Sequence, residues 1–229
     1  MFPALVGTFC GVALCFAFTR HVKVLWVLAA ALYLALDTLV LIHAPRLDHG
    51  QWNWSSKAFS ILFALVSLLL FRLSRQEVGL VLPNNSSSWR WTVLCVLGAV
   101  LFDGVLNYIF RTHQSPSLAT IAYQATMPGI SEELTYRGIA FALFQRAFSG
   151  TRGWWAKAAP VLIPSFVFGL LHTYSPNGGF AHLEWGGFLF SLPLGLWLAW
   201  GRLRTGSLLG PVLAHNAANT AGALLRGLR

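Results

Sequence analysis

The chain is a succession of apolar runs, each roughly long enough to cross a lipid bilayer, joined by short polar connections. A helix needs about 20 apolar residues to traverse a hydrocarbon core about 30 Å thick. Eight runs meet or approach that length: Phe2–Phe18, Val22–His43, Ala58–Leu73, Trp91–Phe110, Leu118–Phe148, Trp155–His172, Trp185–Trp200 and Leu208–Leu225. Only 10% of the 229 residues are charged and 56% are hydrophobic, whereas a soluble domain carries about 25% charged residues. Too little charge remains to coat a water-facing globule, which excludes an ordinary soluble enzyme, a disordered regulator and a secreted disulfide scaffold. The expectation is an all-α, polytopic membrane bundle of about eight transmembrane helices, with residues 1–229 forming one domain.

The net charge of +9 comes from 16 Lys and Arg against 7 Asp and Glu. These basic residues sit mainly between apolar runs, as membrane anchors do, and form no stretch suited to nucleic acid. The expected partner is the bilayer. Their distribution favours both termini on the non-cytoplasmic side. Cys10, Cys15 and Cys95 lie in apolar runs without metal or disulfide spacing and are expected to pack as small hydrophobes. The first run lacks the basic flank and small-residue cleavage site of a signal peptide and is expected to be a retained span. The polar stretch Ser74 to Arg90 reads as a loop.

Ionisable groups inside apolar spans are costly, so each is a functional candidate. Here they are Asp37, Asp103, Glu132, Glu133, Arg137, His172 and His215, with Asn107, Asn216 and Asn219 as neutral companions. Asp37, Asp103 and Asn107 are expected to make structural polar contacts. His182 and Glu184 lie in the connection near the mouth of the proposed site, where gating and plain solvation are both open. The remaining residues form three compact groups.

The first group follows Pro128-Gly129, which should break an arriving helix, with Ser131 expected to cap the one that restarts. Glu133 and Arg137, four residues apart, can pair on one helical face. Glu132 lies about 100° round the helix and has no partner there, which marks it as the functional carboxylate. In the second group Phe168 and His172 share a face four residues apart. An imidazole near a free carboxylate can help to deprotonate water. In the third, His215 and Asn219 share a face among Ala217, Ala218, Ala221 and Gly222, which allow close helix approach. They make either a polar clamp between helices or a pair of donors for a developing oxyanion.

Taken together, Glu-Glu-x-x-x-Arg, Phe-x-x-x-His and His-x-x-x-Asn, in that order and each on its own run, resemble the CPBP family of intramembrane proteases, which includes the Ras-converting CaaX endopeptidases. The resemblance covers about residues 128 to 222, within a catalytic half of about 118–229, and the eight-span count also fits. It implies an intramembrane glutamate-type endopeptidase, a hydrolase. Glu132 and His172 would activate the attacking water, and His215 and Asn219 would stabilise the oxyanion. Glu133, Arg137 and Phe168 would hold the site in shape. The substrate would be a membrane-anchored or lipidated protein, cut near its tail, and the location a multi-pass position in a prokaryotic inner membrane. No cofactor is expected, although Glu132, His172 and His215 also make a two-His-one-carboxylate set able to hold zinc, so metal stays open. The alternative function is a transporter with a proton or ion path through the same Glu and His residues.

Overall fold

The computed structural model describes residues 21–48, 50–110, 115–151, 153–173 and 185–227. The run Phe2–Phe18, with Cys10 and Cys15, and the connecting residues His182 and Glu184 lie outside the described residues. Among the described residues all regular structure is helical. Helix α1 spans Val24–His43, α2 Trp54–Leu70, α3 Arg75–Val78, α4 Ser86–Ile109, α5 Leu118–Gln124 and α6 Met127–Glu133. A π-helical segment, Leu134–Ala140, continues α6 into α7, Phe141–Phe148. Helices α8 (Trp155–Leu171), α9 (Trp185–Thr205) and α10 (Leu209–Arg226) complete the bundle. By length and hydropathy α1 and α4 are able to cross a membrane; α2 and α8 are apolar but shorter.

Local chemistry moves several boundaries away from the apolar runs. Helix α2 starts before Ala58 because the Asn53 side chain accepts from the Ser56 amide and Asp48 Oδ2 accepts from the amides of Trp54 and Ser55. Asn85 likewise caps α4 through the Ser88 amide, at 2.8 Å. The stretch expected as a loop contains the single turn α3, closed by a Ser74–Glu77 capping box and ended by Gly79 at φ 77°. A left-handed residue of that kind is nearly strain-free only for glycine.

The break near Pro128 falls just before it, at Ala125 and Thr126. Pro128 then occupies the first turn of α6, where its missing N–H removes no hydrogen bond. Ser131 is not the cap that the sequence suggests. It lies inside α6, buried, and donates to Ser60 Oγ at 3.1 Å.

The bundle is apolar outside and partly polar within. Helix α2 buries Ser55, Ser56, Ser60 and Ser67 and exposes Leu62, Leu65, Val66, Leu69 and Leu70. Val93, Leu97, Leu101 and Val105 form an exposed stripe on α4 at helical spacing. Two apolar cores lie inside. One joins α1, α2, the π segment, α7 and α8; the other, with Cys95, Ala99, Leu198, Ala214 and Ala218, joins α4, α9 and α10. Helix α6 packs on both α2 and α10, between these cores. A Cβ added to Gly129 would lie 2.7 Å from the Val212 carbonyl oxygen, so the α6–α10 approach requires glycine there. The Gly129 amide uses that closeness to donate to Asn216 Oδ1 at 2.8 Å.

Candidate active site

Glu132 and Glu133 end α6, where the backbone widens into the π segment. Such widening redirects side chains and is frequent at functional sites. All seven residues of the segment are buried, Arg137 included. Glu133 Oε1 accepts from Arg137 Nη1 at 2.9 Å and bonds His215 Nδ1 at 2.7 Å. Arg137 also donates through Nη2 to the Gly195 carbonyl at 2.9 Å, tying this centre to α9. The expected Glu133–Arg137 pair is therefore present, and it is fully buried.

Glu132 points another way. Its Oε1 accepts from Lys57 Nζ, on the first turn of α2, at 2.6 Å. Its Oε2 is buried, has no hydrogen-bond partner among the described residues and lies 3.8 Å from His215 Nε2. His215 is thus held at Nδ1 by one glutamate and presents Nε2 to the other. An ionised Glu133 can only accept, so Nδ1 carries the hydrogen. Nε2 is then an acceptor in the neutral ring and a donor only in the doubly protonated one.

His172 follows α8 and bonds the Phe168 carbonyl through Nδ1 at 2.8 Å. The same logic fixes its hydrogen on Nδ1 and leaves Nε2 free to accept a proton. Among the described residues it makes no ion pair with Glu132, so the imidazole nearest that carboxylate is His215. Phe168 joins the two histidines: its ring lies 4.3 Å from that of His172 and 6.0 Å, edge-on, from that of His215. Arg137 Cζ sits 4.5 Å from the centre of the same ring, a cation–π arrangement.

Asn219 stands apart from this cluster. With His172 it lines a cavity of about 480 Å³ bounded also by Asp103, Asn107, Gln124 and Arg226. Asn107 Nδ2 donates to Asp103 Oδ2 at 2.8 Å, on the shared face of α4 expected from their spacing. Asp37 is buried, and its carboxylate accepts from Ser60 Oγ at 2.7 Å and Thr135 Oγ1 at 3.4 Å.

Six of the seven candidate residues, Glu132, Glu133, Arg137, Phe168, His172 and His215, thus meet around two histidines, with Asn219 on the adjoining cavity. Lys57 is the participant that sequence reasoning passed over. It sits one residue before the apolar run at Ala58 and counts there as an ordinary interfacial cation. The signal available was its place among Ser55, Ser56 and Ser60, a polar patch on an otherwise apolar stretch.

The zinc alternative rests on Glu132, His172 and His215. Among the described residues no three His, Cys, Asp or Glu side chains are grouped as metal ligands. Lys57 occupies Oε1 of Glu132, and Nδ1 of each histidine is held by Glu133 or the Phe168 carbonyl, so Glu132 Oε2 and the two Nε2 atoms are the ones that would hold an ion.

A family model described as type II CAAX prenyl endopeptidase Rce1-like matches residues 114–221. The segment contains all seven candidate residues and excludes Lys57. No curated protein and no solved structure gives a significant match. The matched family is one of proteases acting on membrane-associated proteins, which does not favour the transport alternative. Over residues 114–221, then, the chain is similar to the Rce1-like type II CAAX prenyl endopeptidases.

Proposed function

We propose that the chain is a multi-pass intramembrane endopeptidase of glutamate type, working in a prokaryotic inner membrane. It would cut a peptide bond near the tail of a membrane-anchored or lipidated protein. The observation that carries this reading is Glu132. One of its oxygens is occupied by a cation, and the other is unpartnered, buried and beside an imidazole. The membrane setting is supported by the apolar exterior of α1, α2 and α4 and the serine-lined interior of α2. Burying polar groups while exposing leucine suits lipid better than water.

In this reading a water beside Glu132 Oε2 gives one proton to the carboxylate as its oxygen bonds to the scissile carbonyl carbon. The carbonyl π pair moves onto its oxygen. Asn219 Nδ2 and doubly protonated His215 donate to that oxyanion, in a pocket fixed before the reaction. The oxyanion then collapses and the C–N bond breaks. The proton held by Glu132 passes by way of His172 to the departing amine, so one water is consumed and no proton is left over. Glu133, Arg137 and Phe168 orient the histidines. No step uses a metal. The cavity at His172 and Asn219 would take the peptide backbone, with Asp103 and Asn107 on its far wall.

The test expresses a tagged, membrane-anchored candidate with the wild type or with Glu132→Ala in the same membranes. Glu132→Gln serves in parallel as a trap, to capture proteins that accumulate uncleaved. Cleavage by wild type alone supports the assignment; equal cleavage by both overturns it. A chelator should leave turnover unchanged, and loss that zinc restores would replace the metal-free mechanism.

A further inference from the structure

We infer that Lys57 is a positioning residue for the general base: by holding Oε1 of Glu132 it leaves Oε2 as the oxygen that takes the proton of the attacking water. The inference rests on the endopeptidase reading above. Lys57 belongs to the first turn of α2, and that turn is pinned by the Asn53 and Asp48 side chains. Its side chain is only 12% exposed, and its ammonium lies 2.6 Å from Oε1. The other carboxylate facing this region, Asp37, has both oxygens engaged by hydroxyls of Ser60 and Thr135. The hydrogen bond of the ammonium is therefore directed to Glu132.

A carboxylate has two equivalent oxygens until something distinguishes them. Lys57 does so, since Oε1 is occupied and Oε2, 3.8 Å from His215 Nε2, has no partner among the described residues. That separation is too long for a direct hydrogen bond. A lysine suits this task because its ammonium is a compact point charge. A guanidinium is a planar fork that engages both oxygens of a carboxylate.

The test combines a spectroscopic and a kinetic arm on the full chain in detergent micelles. Infrared difference spectra of the wild type against Glu132→Gln assign the two carboxylate stretches of Glu132. Their separation reports whether one oxygen or both are engaged. The expected result is that these bands move in Lys57→Met and in Lys57→Arg; bands unmoved in both overturn the inference without any substrate. For kinetics the probe is an internally quenched, farnesylated CaaX peptide. Lys57→Met should lower kcat about 10²-fold, the cost of misplacing a reacting group by about 1 Å, with KM unchanged. Lys57→Arg, which keeps the charge, should also lose kcat because its fork covers Oε2. Lys57→Arg decides alone if Lys57→Met does not fold. Wild-type kcat in Lys57→Arg, or a raised KM with kcat intact, would overturn the inference. Wild-type turnover by Glu132→Gln sinks the glutamate-type reading itself. Turnover lost in Glu132→Gln but intact in both Lys57 variants sinks only the role of Lys57.

Discussion

Two carboxylate–cation pairs of similar length have very different surroundings. Glu77, on the turn α3, accepts from Arg146 Nε at 2.7 Å through Oε1 and from Ser74 through Oε2. Arg146 donates through its other two nitrogens to the carbonyls of Phe71 and Arg72. Both groups are closed, and together they lash α3 and the end of α2 to α7. Glu132 pairs with Lys57 at 2.6 Å and leaves its second oxygen without a partner. Buried polar atoms usually find partners, so a bare carboxylate oxygen between two packed cores stands out. The closed pair reads as structure and the open one as chemistry.

Glu133 refines the contrast. It too has an unpartnered oxygen, but its side chain is fully buried whereas that of Glu132 is 17% exposed. Two neighbours in sequence thus differ in setting: Glu132 lies at the edge of the buried cluster, and Glu133 sits inside it, bracing Arg137 and His215.

The sharpest way to break this comparison is Glu132→Gln, which keeps shape and removes the base. Turnover should fall about 10²–10⁴-fold, the usual contribution of a positioned acid–base group, while the thermal midpoint moves little. Full turnover would put Glu132 in the same structural class as Glu77. Next in size is Arg137→Met. Stranding one member of a fully buried pair costs about 3–5 kcal/mol, so unfolding should come at clearly lower temperature, with partial recovery in Arg137→Met/Glu133→Gln. A variant as stable as wild type would mean that Glu133 is not braced as the geometry indicates. Asn219→Ala should then cost about 10²–10³ in kcat with KM nearly unchanged, as for loss of one oxyanion donor. A change confined to KM would move Asn219 from the oxyanion to substrate binding.

The sequence made part of this legible, for a physical reason. Pairs such as Glu133–Arg137 and Phe168–His172 are set by helical spacing, and local periodicity reports them directly. The convergence of the three groups came from their order and their resemblance to a family, not from spacing alone. What escaped depends on contacts distant in sequence. Lys57 reaches Glu132 across 75 positions, and nothing local distinguishes it from an interfacial anchor. The widened backbone at Leu134–Ala140 has no pattern that an apolar run would betray. Ser131 misled because serine beside Pro-Gly is a good cap, yet here a hydroxyl on α2 offered it a buried partner and the helix began earlier.

The smallest expected effect belongs to the closed pair, and its sign can be worked out. Hydrogen bonding from Arg146 holds the Glu77 carboxyl down to about 2, below the roughly 4.3 of an unfolded chain. A depressed folded-state value means that the pair stabilises fully above the unfolded pKa. That contribution fades as pH falls from there through about 2. The side chains of Glu77 and Arg146 are 35% and 25% exposed, so water screens the pair and its worth is at most about 1 kcal/mol. Glu77→Gln should therefore lower the thermal midpoint slightly at pH 7 and leave turnover untouched. The gap between variant and wild type should narrow below about pH 4 and close only below about pH 2. Referring each midpoint to the variant at the same pH removes the other carboxylates, which titrate in both proteins. A gap that stays constant across that range would show that Glu77 contributes through packing of α3 and not through its charge. A loss of kcat at pH 7 would show that the lashing of α3 to α7 reaches the active site, and the separation between closed and open pairs would fail.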